Sequence, residues 1–177
     1  RTVTGVQTCA LPIFLGFVAL AVDVGRGTLT SSQLQNAADA AAMAAAAHLQ
    51  DSYAEYANAN PSKRLLLSNE AKQRAIAAGI EFGSKNIAAE VDSLKVLESD
   101  FEFGFTDAAG KYVPGDGNFP NTVRVVLRRD SHANKELNFF FAPLLRMKST
   151  ALQADAQAIA CVGEIQTFRG KDRQPPG

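Results

Sequence analysis

The chain has 177 residues, of which 46% are apolar and 20% are charged, and this composition suits one domain with a sizeable hydrophobic core. Its 18 basic and 18 acidic residues cancel. No excess of charge therefore points to a nucleic-acid partner or to binding at an anionic surface.

The first residues are interpreted separately from the rest. Residues 3–13, Val-Thr-Gly-Val-Gln-Thr-Cys-Ala-Leu-Pro-Ile, resemble the in-frame translation of a common sequencing-adapter oligonucleotide. We therefore predict that residues 1–13 are an artefact, that the natural sequence begins at Phe14 or Leu15, and that fold reasoning should exclude what precedes. Cys161 then remains as the one natural cysteine and has no partner for a disulfide within the chain.

The next stretch predicts one long helix over residues 14–50. An apolar run ends at Val22, and the chain then enters an alanine-rich stretch. Alanine buries little area, so its helical face gains stability only where a partner backbone comes close. A helix of this length is a rod of roughly 50 Å, longer than a globular domain usually needs. The positions that share one face by i, i+3, i+4 spacing are Leu34, Ala37, Ala38, Ala41, Ala45 and Leu49.

The apolar run before Asp23 is short for a membrane span. From Ala10 to Val22 it holds 13 residues, fewer than the roughly 18 that a spanning helix needs. Only the part from Phe14 would be natural. From the residues alone, the run is part of a membrane helix, the start of a buried helix or the remnant of a signal peptide.

The long helix should end at Asn58-Ala-Asn-Pro61, where turn-forming residues collect before a proline, and a second helix is predicted after this break. Lys63 to Leu67 leads into this helix, and Ser68 or Asn69 can cap it. Its inward face is predicted to carry Ala75, Ile76, Ile80 and Ile87.

From Leu94 onward the apolar period becomes alternating, which predicts strands. Three arginines, Arg124, Arg128 and Arg129, form a basic strip, which is interpreted as a solvated sheet face in preference to a docking site. The small residues of the last strand would let the alanine face of the long helix pack closely on the sheet. The predicted segments are Phe101 to Phe105, a short return at Lys111-Tyr-Val, Val123 to Arg128, an apolar segment from Leu137 to Phe141 that stops at Pro143, and the alternation from Leu152 to Cys161.

These elements predict an α+β fold, in which the long amino-terminal helix and the second helix pack on an antiparallel sheet of about four strands. The architecture is pilin-like by analogy only. Residues 51–162 are predicted to form the α+β domain, and residues 163–177 a disordered carboxy-terminal tail.

Two stretches of the chain resemble a known family. Ala-Leu-Ala-Val-Asp-Val-Gly-Arg at residues 19–26 and Leu-Gln-Asn-Ala-Ala-Asp-Ala-Ala-Ala at residues 34–42 are similar to the amino-terminal signature of TadE/TadG-like Flp (tight adherence) pilus-assembly proteins. A looser similarity follows the family's order through residues 101–105, 121–129, 139–143 and the final Ala-x-Ala alternation. The resemblance implies a single-pass protein of the bacterial inner membrane with a periplasmic carboxy-terminal domain. It also implies that this chain has lost the front of its membrane helix.

No catalytic, cofactor or metal site is predicted. His48 and His132 have no second ligand at metal-binding spacing, and no nucleophile, phosphate-loop or dinucleotide motif occurs. Asp116-Gly-Asn118 lacks the further acidic positions of a calcium loop and is interpreted as a turn. We expect no enzyme activity, no cofactor and no small-molecule substrate.

The predicted interaction residues are Asp23, Arg26, Leu34, Ala38, Ala41 and Ala45. Asp23 follows the apolar run, so its charge would mark the membrane boundary, pair with a neighbouring subunit, or anchor the helix end together with Arg26. The run Phe139 to Phe141 is interpreted as core, unless part of it is exposed and serves a partner.

The sequence therefore predicts a non-catalytic, membrane-anchored structural or assembly component of a Flp/Tad-type pilus. Its partners would be the membrane, other Tad pilus-assembly proteins or further copies of itself. The alternative is a periplasmic binding or adhesion module that is not incorporated in a pilus.

Overall fold

The computed structural model describes residues 4–107, 109–115, 119–141, 143 and 149–159. Two helices come first in the chain, and the strands of two antiparallel sheets follow. The predicted α+β class is confirmed. Cys161, the tail at 163–177 and the turn at 116–118 lie outside the described residues.

Helix α1 spans Thr4–Asn58, over 55 residues. Strong helix formers, mainly alanine, leucine and glutamine, fill its second half. The helix ends at the predicted break, since the residue before Pro61 is disfavoured in a helical conformation. At about 1.5 Å per residue α1 is roughly 80 Å long, so it is far longer than the sheet on which it packs.

Helix α2 spans Pro61–Ser84. The predicted start after Leu67 is wrong, because Pro61 occupies the first turn of the helix. Backbone N–H groups in the first turn have no acceptor within the helix, so the N–H that proline lacks is not missed, and its fixed φ suits the helix. Ser68, a predicted cap, is instead buried in the interior of α2. The proline that ends the first helix therefore begins the second.

The inward face of α2 is confirmed in its middle turns and wrong at its end. Ala75 is fully buried, and Ile76 and Ile80 pack against the core. Ile87 is 50% exposed, because α2 stops at Ser84 and the chain turns away before reaching it.

The strands are β1 (Phe101–Thr106), β2 (Tyr112–Pro114), β3 (Thr122–Arg129), β4 (Leu137–Asn138), β5 (Ser149–Thr150) and β6 (Leu152–Ile159). The main sheet has four antiparallel strands in the order β2-β1-β3-β6, with Val123 of β3 opposite Phe103 on one side and Ala158 on the other. Of the apolar segment predicted at 137–141, only β4 is a strand, and it pairs with β5 in a separate two-stranded sheet.

The core lies between the helices and one face of the main sheet. Helix α1 packs against α2 and across β3 and β6, which confirms the predicted contact between its alanine face and the last strand. The contact with α2 is close: a Cβ atom at Gly79 would lie 2.6 Å from Phe101 Cζ and 3.1 Å from the Ala41 carbonyl oxygen. Around Ala37 and Ala41, the alanine face of α1 therefore lies against the glycine backbone of α2, an approach that only small side chains allow.

Candidate interaction site at the helix and domain junction

One face of α1 continues to contact the domain upstream of the alanine-rich stretch. Thr30 and Asp23 are only 1% and 4% exposed, and Arg26 is half-buried between them. These positions recur at intervals of three or four residues, the spacing of one helical face. The domain therefore contacts α1 as far upstream as Asp23.

Asp23 holds a segment that lies far away in the sequence. Its Oδ1 accepts a hydrogen bond from the backbone N–H of Phe140 at 2.9 Å, and its Oδ2 accepts one from the N–H of Phe141 at 3.0 Å. Hydrogen bonds to an ionised carboxylate are stronger than those between neutral groups. These bonds also explain why the strand predicted here stops at Asn138: both amides bond to a side chain of α1 instead of to a neighbouring strand.

Arg26 lies one turn further along the same face. Its guanidinium carbon is 4.2 Å from the centroid of the Phe140 ring, a cation–π arrangement, and its Nη2 forms an ion pair with Glu90. The second carboxylate oxygen of Glu90 accepts a hydrogen bond from Arg129 Nη2 at 3.2 Å. Glu90 therefore links α1 to β3 through two arginines.

Glu90 sits at the tip of a tight turn, in which Ala88 and Val91 exchange two backbone hydrogen bonds of 3.0 and 3.1 Å. The turn is fixed to α1 because the Ala89 N–H donates to Gln33 Oε1 at 2.8 Å. Ala89 has a φ of 49°, a left-handed conformation that non-glycine residues rarely adopt. The surrounding contacts therefore hold the turn that presents Glu90.

Arg129 closes the junction from the sheet side. It is 3% exposed, and it donates from Nη1 to the Ala88 carbonyl at 2.8 Å and from Nε to the Lys135 carbonyl at 3.1 Å. Burial lowers the pKa of its guanidinium from the ordinary value, although arginine remains charged at neutral pH. We name the group formed by Asp23, Arg26, Glu90, Arg129 and Phe140 the junction cluster.

The predicted strip of three solvated arginines is wrong. Arg129 points into the protein, whereas Arg124 pairs with Glu102 at 3.0 Å and Arg128 pairs with Asp100 at 2.8 Å on the opposite face. Strand alternation explains the difference, because residue 129 shares the parity of the buried Val123, Val125 and Leu127.

The other predicted interaction residues lie away from the junction cluster. Leu34, Ala38, Ala41 and Ala45 are each 0% exposed and belong to the core cluster formed within this chain. The structure brings Asp23 and Arg26 together with three residues that the sequence interpretation did not assign to a site. Glu90 and Phe140 carried no local signal for it, since their partners lie 39 or more residues away along the chain. The parity of Arg129 was the one signal that could have placed it here.

Upstream of the junction, α1 exposes large apolar side chains. Residues 14–24, which we name the anchor segment, are exposed by 46% or more at every large apolar position: Phe14, Leu15, Phe17, Val18, Leu20, Val22 and Val24. Within the described residues, one helix, α1 from Leu11 onward, is long and apolar enough to cross a membrane, and 11% of its apolar 18-residue stretch is buried. Soluble monomers rarely leave so much contiguous apolar surface in water.

The other surfaces offer little chemistry. Among the described residues, no three His, Cys, Asp or Glu side chains are grouped as metal ligands would be. A depression of about 760 Å³ lies beside the turn between the two helices, where Glu55, Lys63 and Glu70 contribute its charged groups. It is far along α1 from the junction cluster.

Comparison with known proteins gives one match, which lies within α1. Residues 3–48 match the family model of the putative Flp pilus-assembly TadE/G-like proteins. No curated protein and no solved structure matches the chain. The matched range begins inside the adapter-like segment and ends before the sheet, so the interpretation of residues 3–13 and the looser similarity of the strands stay predictions. The similarity to the TadE/G-like Flp pilus-assembly family is thus confirmed for the amino-terminal part of the chain, in the helix that carries Asp23 and Arg26.

Proposed function

We propose that the chain is a non-catalytic structural or assembly component of a Flp-type pilus system, anchored in the bacterial inner membrane by α1 with its α+β domain in the periplasm. The observation that carries the proposal is the anchor segment, whose large side chains are exposed on a helix that matches a pilus-assembly family. Residues of this kind are stable in hydrocarbon and costly in water.

The position of the anchor segment on α1 supports a membrane role over a role in the core. Leu20, Val22 and Val24 are each about half exposed, while Asp23, within the same turn, faces the domain. A buried helix start would cover the large residues and leave the charge outside. Here the arrangement is reversed, as expected for a helix that leaves its domain and enters lipid.

The junction cluster supports a role in positioning the domain. Its hydrogen bonds and ion pairs tie α1 to the segment at residues 140–141, to the turn at residues 88–91 and to β3. A helix held at three places transmits the orientation of its membrane part to the domain. Such rigidity suits a protein that must meet other pilus components, or copies of itself, at a fixed distance from the bilayer.

The first test is topology. The full reading frame of the gene, including any sequence upstream of Phe14, is expressed with a carboxy-terminal alkaline phosphatase reporter, which is active only in the periplasm. We expect an active reporter in the membrane fraction. A soluble product would overturn the proposed anchor. An inactive alkaline phosphatase, together with activity from a fused reporter that works only in the cytoplasm, would overturn the proposed orientation.

The second test asks for a pilus role. Deletion of the gene is expected to abolish Flp pili, and an Asp23→Ala copy is expected to restore fewer pili than the wild type at equal protein level. Asp39→Ala is the matched control, because Asp39 lies on the same helix but is exposed and accepts a hydrogen bond at 3.1 Å from Gln35, one turn earlier in α1. Normal pili in the deletion strain together with lost adhesion would favour the binding or adhesion module instead.

A further inference from the structure

Two aromatic rings project beside the anchor segment. Phe140 is 66% exposed and Phe141 is 42% exposed, although both backbone amides are bonded to the buried carboxylate of Asp23. The backbone of this segment is thus fixed while its rings remain in solvent. An exposed pair of phenylalanines on a fixed backbone calls for an apolar environment outside the chain.

The Asp23 contact sets the height of these rings along α1. The backbone amides that carry the rings bond to Asp23, whose neighbours Val22 and Val24 are themselves 46% and 59% exposed. The aromatic pair and the anchor segment therefore border each other at the point where α1 leaves the domain. The backbone of Arg26, whose guanidinium stacks on the Phe140 ring, lies about 4.5 Å beyond that of Asp23 along the helix axis, on the side away from the apolar run.

We propose that Phe140 and Phe141 insert into the interfacial layer of the membrane as a second lipid contact beside the helix. This proposal rests on the proposed membrane anchor. Phenylalanine on the apolar side and arginine on the polar side are typical of elements that lie in the membrane interface, and Phe140 with the Arg26 guanidinium stacked on its ring is such a pair. A lipid surface is favoured over a protein partner because the rings are continuous with the apolar surface of the anchor.

A second contact changes what the anchor does. A single helix would leave the domain free to rotate about it and to tilt relative to the bilayer. Rings at residues 140 and 141, fixed to the same helix through Asp23, restrict both motions. The domain would then present one constant face to neighbouring pilus components.

The absence of tryptophan from the sequence permits a direct test. A Phe140→Trp variant of the full chain is reconstituted into phosphatidylglycerol and phosphatidylethanolamine vesicles, and its fluorescence is measured with lipids brominated at known depths and with aqueous iodide. Phe141→Trp provides a second probe in case one ring tolerates the change poorly. Leu65→Trp is the matched control, since Leu65 is 74% exposed but lies near the far end of α1, roughly 50 Å from Asp23.

We expect the Phe140→Trp variant to float with the vesicles, and its fluorescence to be quenched by lipids brominated near the headgroups but not by iodide. The fluorescence of the Leu65→Trp control should be quenched by iodide and not by the brominated lipids. Flotation with full iodide quenching at position 140 would overturn this inference and leave the anchor intact. Protection from iodide without bromine quenching would overturn it in favour of a protein contact. Failure to float would overturn the anchor itself and the inference with it.

Discussion

Two parts of α1 share one secondary structure but differ in the size and exposure of their apolar residues. The anchor segment carries large apolar residues that are exposed, whereas the stretch from Leu34 to Leu49 carries small apolar residues that are fully buried on one face. If the anchor segment lies in a membrane as proposed, size follows from the partner: lipid chains adapt to any side chain, whereas α2 and β6 approach as rigid backbone and admit little more than a methyl group. Apolar character alone therefore does not reveal which half is the core.

The largest effect is expected from adding the same bulk to both halves. Ala41→Leu should lower the free energy of unfolding by ~3 kcal/mol, because the new side chain meets Gly79 and Gly83 at backbone contact. Ala21→Leu, at an exposed position, should change it by less than about 0.5 kcal/mol. Urea unfolding followed by circular dichroism in detergent micelles measures both. Equal losses of unfolding free energy in the two variants would show that the two parts of α1 do not differ in packing.

A smaller effect is expected at the boundary between the halves. Asp23→Ala removes the acceptor of two backbone hydrogen bonds and should cost ~2 kcal/mol. Hydrogen exchange at the amides of Phe140 and Phe141 should accelerate in the same variant. Asp23→Asn keeps one acceptor oxygen, so its free energy of unfolding should lie between those of the wild type and Asp23→Ala. Unchanged exchange at both amides would show that Asp23 does not hold this segment.

The ion pairs through which Glu90 links α1 to β3 should contribute less to the free energy of unfolding. Glu90→Ala leaves Arg129 buried with its two carbonyl partners but without its carboxylate, and since Glu90 is 58% exposed we expect a loss of only about 1 kcal/mol in the free energy of unfolding. Glu98→Ala, at an exposed position outside the junction cluster, serves as the control in the same urea titration. A loss at Glu90 no larger than the control's would show that the bridge contributes nothing.

The smallest effect lies in a surface turn outside both halves. Backbone N–H groups of Ala133 and then His132 lower the pKa of Asp130 below its ordinary value of 3.8. A lowered folded-state pKa stabilises the protein above the unfolded-state value, and this stability is lost as the pH falls through the folded-state value. Asp130→Ala should therefore be less stable than the wild type at neutral pH, with a difference that shrinks in acid. A difference that stays constant with pH would contradict this assignment.

Much of the fold could be predicted because it depends on local patterns. Alternation identified the buried face of β3, helical spacing identified the buried face of α1, and Asn58 to Pro61 marked the break between the helices. The start of α2 was missed because a proline was interpreted only as a terminator. The same residue favours the first turn of a helix.

The candidate site could be predicted only in part. Asp23 and Arg26 were singled out because charges stand out after an apolar run. Their partners, Glu90 and Phe140, could not be identified, since nothing in a local pattern specifies which distant turn a carboxylate or an arginine will meet. Arg129 was misplaced because three arginines close in sequence were interpreted as one surface, although strand parity separates the third from the other two.

The central claim is that the two halves of α1 occupy different phases, and cysteine accessibility tests it most directly. In a background where Cys9 and Cys161 are replaced by serine, Leu15→Cys and Val18→Cys are compared with Asn36→Cys and Ala47→Cys, all at exposed positions of α1. Spheroplasts are treated with a membrane-impermeant maleimide before and after detergent. We predict immediate labelling at positions 36 and 47, and labelling at positions 15 and 18 only after detergent. Equal labelling of all four before detergent would place the anchor segment in water and contradict the account.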